Sequence, residues 1–455
     1  MRSVDLLVVG GGLAGYCCAL EAASAGADVL LIEKEGKTGG ATILSGGSFA
    51  FAGTPLQKAR GVEDSEERLY EDLRRVGGYE NDESLVRAYV DGQRETFDWL
   101  AGHGVTFERL FIASGHTVPR GHSRNAREVL DIVEARAADT GRVETALNVT
   151  ARRLLRDEAT GAVTGVLAQM NGREEVISSR HGVVLTTGGF SRSEELLKLF
   201  APQQAKAQRM GGPGNTGDGL RMAWRLGAGF RDMGYIKGTF GNHVSAGPED
   251  HFLLFPMYAG GIIVNREARR FVDESLSYKL IGEACLRQTD AIGFQVFDQP
   301  IFERGVPGVP SMDFQADLDA GRVIRADTLA GIAKMLGLDS AALQATVDRY
   351  NAMVRAGRDE DFGRDGLCNH FGALSTIGTA PFYAFASRSV VLATYCGLTV
   401  DDRMNVRDVF GAPMKGLYAA GGCIGGFHGQ AYMTGTANGK AAIFGRIAAR
   451  AALGR

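Results

Sequence analysis

Long apolar runs and a strong excess of one charge are both absent from this chain. No stretch approaches the roughly 20 apolar residues that are needed to cross a bilayer. The N-terminal residues lack the charged region, apolar core and cleavage site of a signal peptide. The formal net charge is −3 at pH 7, which gives no reason to expect a nucleic-acid partner. We therefore expect a cytoplasmic protein with no membrane span and no nucleic-acid partner.

Cysteine is also scarce, and none of it forms a CxxC pair. The six cysteines are scattered along the chain at Cys17, Cys18, Cys285, Cys368, Cys396 and Cys423. This spacing indicates neither an iron–sulfur cluster nor a zinc site, so we predict no metal. The 455 residues, of which 45% are hydrophobic and 23% charged, are typical of a globular chain with more than one domain.

Glycine, by contrast, is abundant, with 63 residues. A short apolar run near the N-terminus leads into Gly10, Gly12 and Gly15, a spacing that lets a diphosphate approach the backbone at the start of a helix. A second apolar run ends at Glu33, which is placed to accept hydrogen bonds from both hydroxyls of a ribose. Strand, glycines, helix, strand and acid thus follow the order of a dinucleotide-binding βαβ unit.

Further glycine-rich segments recur along the chain, at residues 38–42, 45–47, 186–190, 215–219 and 416–422. Each segment can bring the backbone close to a ligand, but a single segment would be weak evidence for a ligand-binding site. Because they are spread from both ends of the chain, we expect them to serve one extended cofactor.

These segments together resemble the FAD-binding domain of the fumarate reductase and succinate dehydrogenase flavoprotein superfamily. The similar motifs are DLLVVGGGLAG, GGATILSGG, VVLTTGGF, NTGDG and GLYAAGG, and residues 260–274 resemble the family's capping domain. The resemblance implies an α/β fold, with a Rossmann-like FAD-binding domain and an inserted α+β capping domain. It places the FAD-binding domain at residues 1–230 and 375–455 and the substrate-capping domain at residues 231–374.

The resemblance implies FAD as the cofactor. Members that bind FAD covalently carry a histidine near the equivalent of residues 39–47; none is present here, so we expect noncovalent FAD. Many relatives hold the ribitol chain with a glutamate where this chain has Gly422, so that contact is lost or supplied from elsewhere. The residues expected to bind FAD are Gly10, Gly12, Ala14, Gly15, Glu33, Lys34, Gly40, Ala41, Thr42, Gly46, Gly47, Ala151, Gly188, Asp218, Gly422, Ala437 and Asn438.

The substrate side departs from the fumarate reductases. Two arginines of the family pattern are replaced by Tyr278 and Tyr432. This pair resembles the tyrosines of the flavin-dependent 3-ketosteroid and cyclohexanone dehydrogenases, which desaturate the bond next to a ring ketone. That resemblance implies Tyr278 as the base, with Tyr432 and the backbone N–H of Thr436 binding the carbonyl oxygen, where negative charge develops.

Several other residues are weaker candidates for substrate contact. Arg120 and His116 lie in a polar loop, which is either solvated or able to bind a carboxylate on a ring substrate such as an oxocyclohexanecarboxylate. The remaining candidates for substrate contact are Thr434, Phe255, Tyr258, Lys237 and Lys279. A tyrosine is more often a packing residue than a catalyst, so this alternative stays open for each one.

We predict an FAD-dependent ketone dehydrogenase that acts on CH–CH groups of a cyclic ketone. The alternatives are an ene-reductase that reduces an activated C=C bond and a non-catalytic electron-transfer flavoprotein. No second dinucleotide motif of similar quality occurs, so we expect a quinone, oxygen or a redox protein as the electron acceptor.

Overall fold

The computed structural model describes residues 2–248, 250–309, 311–370 and 372–455. Its backbone divides into two units. The first comprises Met1–Pro202, Gly211–Ile236 and Leu392–Arg455, and the second comprises Gln203–Met210 and Lys237–Val391. The second unit extends beyond the expected boundary at residue 374, because the strand Phe382–Val391 pairs with other strands of that unit.

The strands, in chain order, are β1 (Arg2–Val4), β2 (Leu6–Val9), β3 (Val29–Ile32), β4 (Ser48–Ala50), β5 (Arg109–Phe111), β6 (Gly121–Ser123), β7 (Val143–Ala146), β8 (Val149–Arg156), β9 (Val163–Met170), β10 (Arg173–Ser179), β11 (Val183–Leu185), β12 (Gln208–Arg209), β13 (Phe230–Arg231), β14 (Thr239–His243), β15 (Ile262–Val264), β16 (Ile292–Asp298), β17 (Val323–Ala326), β18 (Phe382–Val391), β19 (Gly397–Leu398), β20 (Asn405–Arg407) and β21 (Pro413–Ala419).

The α-helices are α1 (Leu13–Ser24), α2 (Pro55–Ala59), α3 (Glu66–Val76), α4 (Glu83–Gly102), α5 (Ala126–Asp139), α6 (Glu194–Phe200), α7 (Asp218–Trp224), α8 (Tyr278–Leu286), α9 (Gln299–Phe302), α10 (Phe314–Asp319), α11 (Leu329–Leu336), α12 (Ser340–Ala356) and α13 (Thr436–Ala452).

A six-stranded sheet lies at the centre of the first unit, in the order β20-β21-β11-β2-β3-β7. Strand β2 pairs in parallel with β3 and β11. These three strands consist of Leu, Val and Ile and are wholly buried, as expected for parallel strands covered on both faces. The carboxyl ends of neighbouring parallel strands meet at one edge of the sheet, where ligands bind in folds of this kind.

Smaller sheets of the first unit are β1-β10-β9-β8, β4-β6-β5 and β13-β19. In the second of these, β4 pairs antiparallel with β6. This pairing holds the segment that follows the Gly46 turn against the strand that follows Arg120.

Strand β18 is central to the sheet of the second unit, where it pairs with β12, β14, β16 and β17. Helix α12 contributes Leu343, Val347 and Tyr350 to the hydrophobic core, at the i, i+4, i+7 spacing of one helical face. Helix α8 begins at Tyr278, and the Ser277 hydroxyl caps it by accepting a hydrogen bond from the backbone N–H of Lys279 at 3.3 Å.

The α/β fold class predicted from the sequence is confirmed by this arrangement. Among the residues that the structure describes, no helix is both long enough and apolar enough to cross a membrane.

Candidate active site

Only glycine fits at one position in the turn after β2 and at one position in the first turn of α1. Gly10 has a φ of +117°, and a Cβ added there would lie 2.5 Å from the carbonyl oxygen of Thr186. A Cβ on Gly15 would lie 2.1 Å from the carbonyl oxygen of Gly10. At Gly12 the nearest atom would be 3.6 Å away. The turn is therefore tightly packed toward the sheet and open at Gly12, where a diphosphate would approach.

The amide groups at the start of α1 are suited to an anion. Gly12 provides no side-chain cap for this helix, and the Leu13 N–H donates to Thr42 Oγ1 at 3.1 Å. Nearby, the Glu33 carboxylate is buried and accepts hydrogen bonds from the N–H groups of Gly11, at 2.7 Å, and Glu35, at 2.9 Å. Each carboxylate oxygen retains a second lone pair that can accept from a ribose hydroxyl.

Other expected cofactor residues form an open backbone surface. A Cβ added at Gly40 or Gly46 would meet no atom within 4 Å. Gly422 is exposed although both of its neighbours are buried. Gly47 differs, because a Cβ there would lie 1.7 Å from the Arg124 carbonyl oxygen. Gly40, Gly46 and Gly422 therefore leave space for a ligand. Gly47 instead must be glycine because the backbone of Arg124 lies against it.

Three more polar members of the expected FAD set bind protein groups. Lys34 Nζ lies 2.6 Å from Asp218 Oδ2, so these two residues form an ion pair with each other. Asn438 Nδ2 donates to Ser45 Oγ and to the Ser48 carbonyl oxygen, both at 3.1 Å. These contacts shape the segments that carry the glycines. Direct contact of these residues with FAD stays a prediction.

The remaining residues that are expected to bind FAD differ in their burial. Ala14 and Ala151 are buried, Gly188 and Ala437 are half-buried, and Ala41 is exposed. A Cβ on Gly188 would lie 2.4 Å from Asn215 Oδ1, so the Asn215 amide approaches this turn.

The Tyr432 phenol is held by the backbone of its own loop. Its oxygen accepts a hydrogen bond from the Gly435 N–H at 3.1 Å. Burial raises the pKa of Tyr432 to about 12, although hydrogen bonds from the backbone of Gly435 and Ala437 oppose the shift. The phenol therefore keeps its proton at neutral pH and is suited to donate a hydrogen bond.

Tyr395 is a neighbour of Tyr432 that sequence reasoning missed. The two rings are stacked, with centroids 4.6 Å apart and planes at 19°. Tyr395 has a φ of +55°, which is uncommon for a bulky residue and is found most often at functional sites. Tyr395 lies in none of the glycine-rich segments of the sequence, so no motif marked it.

The predicted role of the Thr436 N–H is not supported. This N–H donates to the Met433 carbonyl oxygen at 3.2 Å, and the Thr436 hydroxyl donates to the same oxygen at 2.6 Å. Thr436 is fully buried. Both of its donors therefore close the loop instead of pointing toward a substrate carbonyl.

Arg120 also differs from its predicted role. It is fully buried and forms ion pairs with two carboxylates, those of Asp64 and Asp72. Its Nη2 lies 2.7 Å from Asp64 Oδ1, and its Nε lies 3.0 Å from Asp64 Oδ2. A guanidinium bonded in this way cannot bind a substrate carboxylate without leaving two buried charges unpaired.

His116 is likewise buried and fully bonded. Its Nδ1 accepts a hydrogen bond from the Ala113 N–H at 3.2 Å, and its Nε2 lies 2.8 Å from the carbonyl oxygen of Thr434. Burial, with a contribution from the charge of Arg120, lowers the pKa of His116 to about 3. The His116 ring is therefore neutral, and both of its nitrogens are bonded within the protein; contact with substrate stays a prediction.

In the second unit, Tyr278 belongs to an aromatic cluster. Its ring stacks on Phe255, with centroids 5.3 Å apart and planes at 10°. Tyr258 lies at 6.5 Å from the same ring and donates its hydroxyl to the Leu276 carbonyl oxygen at 2.8 Å. The structure thus brings together these three predicted residues, and their contact with substrate stays a prediction.

The residue after Tyr278 is a buried lysine. Lys279 Nζ donates to Thr239 Oγ1 at 2.7 Å and to the Lys237 carbonyl oxygen at 3.1 Å. Burial, and to a lesser extent the charge of Lys237, lowers the pKa of Lys279 to about 7. Near neutral pH this buried amine can gain or lose a proton.

Comparison with known proteins bears on these features. A family model described as an FAD binding domain matches residues 5–437. The chain is 32% identical to the urocanate reductase of Eggerthella lenta, over 98% of this chain and 74% of that protein. It is 30% identical to the vinyl phenol reductase of Lactiplantibacillus plantarum, over 98% of this chain and 96% of that protein.

A solved structure is also similar over almost the whole chain. It is the 3-ketosteroid-Δ4-(5α)-dehydrogenase of Rhodococcus jostii RHA1 in complex with 4-androstene-3,17-dione. The TM-score is 0.80 at 28% identity, and the match covers 99% of this chain and 97% of that one. The resemblance predicted from the glycine-rich motifs is therefore confirmed. This chain belongs to the FAD-binding domain family and is an FAD-dependent oxidoreductase.

Proposed function

We propose that the protein dehydrogenates the α,β carbon–carbon bond of a cyclic ketone. In this reaction the α-carbon loses a proton, the β-carbon loses a hydride, and a double bond forms between them. FAD, when bound, supplies the hydride acceptor. The protein's own groups must bind the carbonyl, remove the proton and exclude water.

Tyr432 carries the proposal. Its pKa of about 12 keeps the phenol protonated, and the Gly435 N–H donates to the phenol oxygen. A phenol that accepts one hydrogen bond becomes a stronger donor in the next one. Tyr432 therefore suits the carbonyl oxygen, which becomes more negative as the α-proton leaves.

Tyr278 is proposed as the base that takes the α-proton. Its ring is fixed by stacking on Phe255, and an unperturbed phenol has a pKa of about 10, so proton removal needs a group that receives the proton in turn. Lys279, the next residue, has a pKa lowered to about 7 and so is partly neutral near pH 7. Its amine is held by Thr239 Oγ1 and the Lys237 carbonyl oxygen, and we propose it as a group of the second unit that takes up the proton from Tyr278.

The noncovalent FAD site is proposed on the glycine turn, the Glu33 carboxylate and the open surface at Gly40, Gly46 and Gly422. Acid precipitation of the purified protein should leave the yellow flavin in the supernatant. Flavin that remains attached to the precipitated chain would contradict noncovalent binding.

An anaerobic substrate panel tests the proposed reaction. The holoenzyme is mixed with 4-androstene-3,17-dione, cyclohexanone, 4-oxocyclohexanecarboxylate or succinate, and the loss of flavin absorbance is followed. We expect a ring ketone to bleach the flavin and succinate to leave it oxidised. Because Arg120 is paired with Asp64 and Asp72, the carboxylate on the third compound should give no advantage over cyclohexanone. Bleaching by succinate and by no ketone would refute the proposal.

Reduction of an activated C=C bond is the second candidate. It is favoured by the similarity to reductases named for urocanate and vinyl phenol. The same residues would serve, since donation to a carbonyl also activates an enone for hydride addition. Reoxidation of the dithionite-reduced holoenzyme by urocanate, 4-vinylphenol or cyclohex-2-enone, with no ring ketone bleaching the oxidised holoenzyme, would favour this candidate.

The electron acceptor is proposed to be a quinone, oxygen or a redox protein. Reoxidation rates of the substrate-reduced holoenzyme with menadione, with dissolved oxygen and with ferricyanide would rank these classes. A rate with NAD⁺ above all three would contradict this proposal.

A further inference from the structure

One peptide group in the first unit joins His116 to Tyr432. The carbonyl oxygen of Thr434 lies 2.8 Å from His116 Nε2. The N–H of Gly435 belongs to the same peptide unit and donates to the Tyr432 phenol oxygen at 3.1 Å. The histidine and the tyrosine thus bond to opposite ends of one planar amide.

The bonding of His116 determines its tautomer. The Ala113 N–H donates to Nδ1 at 3.2 Å, so Nδ1 must present a lone pair. The proton of the neutral ring therefore lies on Nε2, where it donates to the Thr434 carbonyl oxygen. The hydrogen bonds run in one direction, from Ala113 through His116 and the peptide to Tyr432.

The surrounding loop holds this amide in place. Gly435 has a φ of +90°, and a Cβ there would lie 2.8 Å from the Ala50 backbone nitrogen. The Gly435 carbonyl oxygen accepts from that nitrogen at 3.2 Å, and the Thr434 N–H donates to the Ser114 carbonyl oxygen at 2.9 Å. Neighbouring backbone therefore restrains the Thr434–Gly435 peptide on both sides, and His116 forms a hydrogen bond with the Thr434 carbonyl oxygen.

We propose that His116 is a positioning residue for the Tyr432 phenol and acts through the Thr434–Gly435 peptide. Donation by Nε2–H polarises this amide, which strengthens its N–H as a donor to the phenol oxygen. It also fixes the direction of the N–H, and with it the phenol. The role in turnover rests on the proposed function of Tyr432, whereas the coupling between the two side chains does not.

The first test uses two substitutions at His116. His116→Gln can keep both hydrogen bonds, because its amide oxygen accepts and its amide nitrogen donates. His116→Phe fills a similar volume and removes both. With the ketone that bleaches the flavin in the panel above, we expect His116→Phe to slow flavin reduction about tenfold to hundredfold, as for a misplaced catalytic group. His116→Gln should restore most of that loss.

A double-mutant cycle tests whether the effect passes through Tyr432. In a Tyr432→Phe background there is no phenol oxygen to position, so His116→Phe should have little further effect on the reduction rate. The same fold-loss in both backgrounds would overturn the proposal, as would a loss of less than twofold in the native background.

A substrate-free measurement separates this proposal from the proposed function. The holoenzyme is labelled with 3-fluorotyrosine, and the Tyr432 resonance is assigned by its absence in Tyr432→Phe. We expect His116→Phe to shift that resonance and His116→Gln to leave it nearly in place. An unshifted resonance in His116→Phe would overturn the coupling even if ketones are turned over. A shifted one upholds it even if no ketone bleaches the flavin.

His122 provides a matched control. It is also fully buried, its Nδ1 lies 2.8 Å from the Arg120 carbonyl oxygen, and its Nε2 lies 2.7 Å from Thr54 Oγ1. Neither of these bonds involves the Thr434–Gly435 peptide. His122→Phe should therefore leave the fluorine resonance of Tyr432 unchanged. An equal shift in both phenylalanine variants would refute the specific role of His116.

The native protein offers a test if His116→Phe does not fold. In a ¹⁵N-histidine spectrum, the ring signal lost in His116→Gln should report the Nε2–H tautomer and should not titrate between pH 5 and 9. This follows from the pKa of about 3. A protonated ring, or a proton on Nδ1, would overturn the proposal.

Discussion

The surroundings of Tyr432 and of Tyr278 differ in the kind of force that holds each ring. Tyr432 is bonded through its oxygen to a backbone N–H, and that amide is bonded in turn to a buried histidine. Tyr278 is held by its ring face against Phe255, and the next residue is a buried lysine.

This difference matches the two proposed roles. A hydrogen bond to the phenol oxygen fixes the direction of the group, which suits a donor that must keep its proton. Ring stacking fixes the plane and position of the side chain, which suits a base that must be held against the α-carbon. The comparison is tested by four sets of substitutions, taken in order of expected effect.

Tyr278→Phe should have the largest effect. Loss of a base costs about 10²- to 10⁴-fold in rate, and the stacking on Phe255 can be retained by the new ring. We expect flavin reduction by the active ketone to fall by this factor, with FAD content and melting temperature unchanged. Stopped-flow absorbance under anaerobic conditions measures it. Undiminished reduction would remove Tyr278 as the base.

Tyr432→Phe should have the next largest effect. Removal of one donor to a developing oxyanion costs about 10²- to 10³-fold. The residual rate should keep its pH dependence above pH 7, because Tyr432, with a pKa of about 12, does not titrate there. If the substitution instead abolished the pH dependence, Tyr432 would be the base and the two assignments would be reversed.

Lys279→Met should change how stability depends on pH. Below pH 7 Lys279 is protonated in the folded and unfolded states alike; between about 7 and 10.5 only the unfolded state keeps the proton. The unfolded state then binds more protons, so the free energy of unfolding should rise with pH in this window, by about 2–3 kcal/mol from pH 7 to 9.

Lys279→Met should lack this rise of the free energy of unfolding with pH. Thermal unfolding at pH 6.5, 8 and 9 would measure it. Lys440→Met is the control in the first unit. Lys440 is also buried, and its pKa is lowered less, to about 8, so its removal should flatten the curve less. Parallel curves for native protein and Lys279→Met would show that Lys279 stays charged when buried.

Removal of a stacked neighbour should have the smallest effect. An aromatic pair contributes about 0.5–1.5 kcal/mol beyond its buried area. We expect Tyr395→Leu and Phe255→Leu each to slow flavin reduction about two- to tenfold, since 1.4 kcal/mol corresponds to a factor of ten. Tyr395→Phe, which keeps the stack, is the control. A loss with Tyr395→Phe as large as with Tyr395→Leu would show that the Tyr395 hydroxyl acts in turnover.

Local sequence patterns were sufficient to predict much of the fold and the residues expected to bind FAD. The βαβ unit with Gly10, Gly15 and Glu33 was predictable because its determinants are close together in sequence and each is needed for a backbone approach. The second boundary of the second unit was not, since β18 joins the sheet of that unit through pairings with strands as distant in sequence as β12.

The roles of the polar candidate residues were harder to predict from the sequence. Arg120, His116 and Thr436 looked like groups aimed at a substrate. Their side chains or amides are instead bonded to partners that are distant in sequence or created by the loop geometry, such as Asp64, Thr434 and Met433. Tyr395 gave no periodic or motif signal.

The sequence by itself determined the family and the cofactor, because these depend on residue type at fixed spacing. Only the tertiary structure decided the protonation and bonding of the candidate residues. Burial and hydrogen bonding set those properties, and both arise from chain segments that meet only after folding.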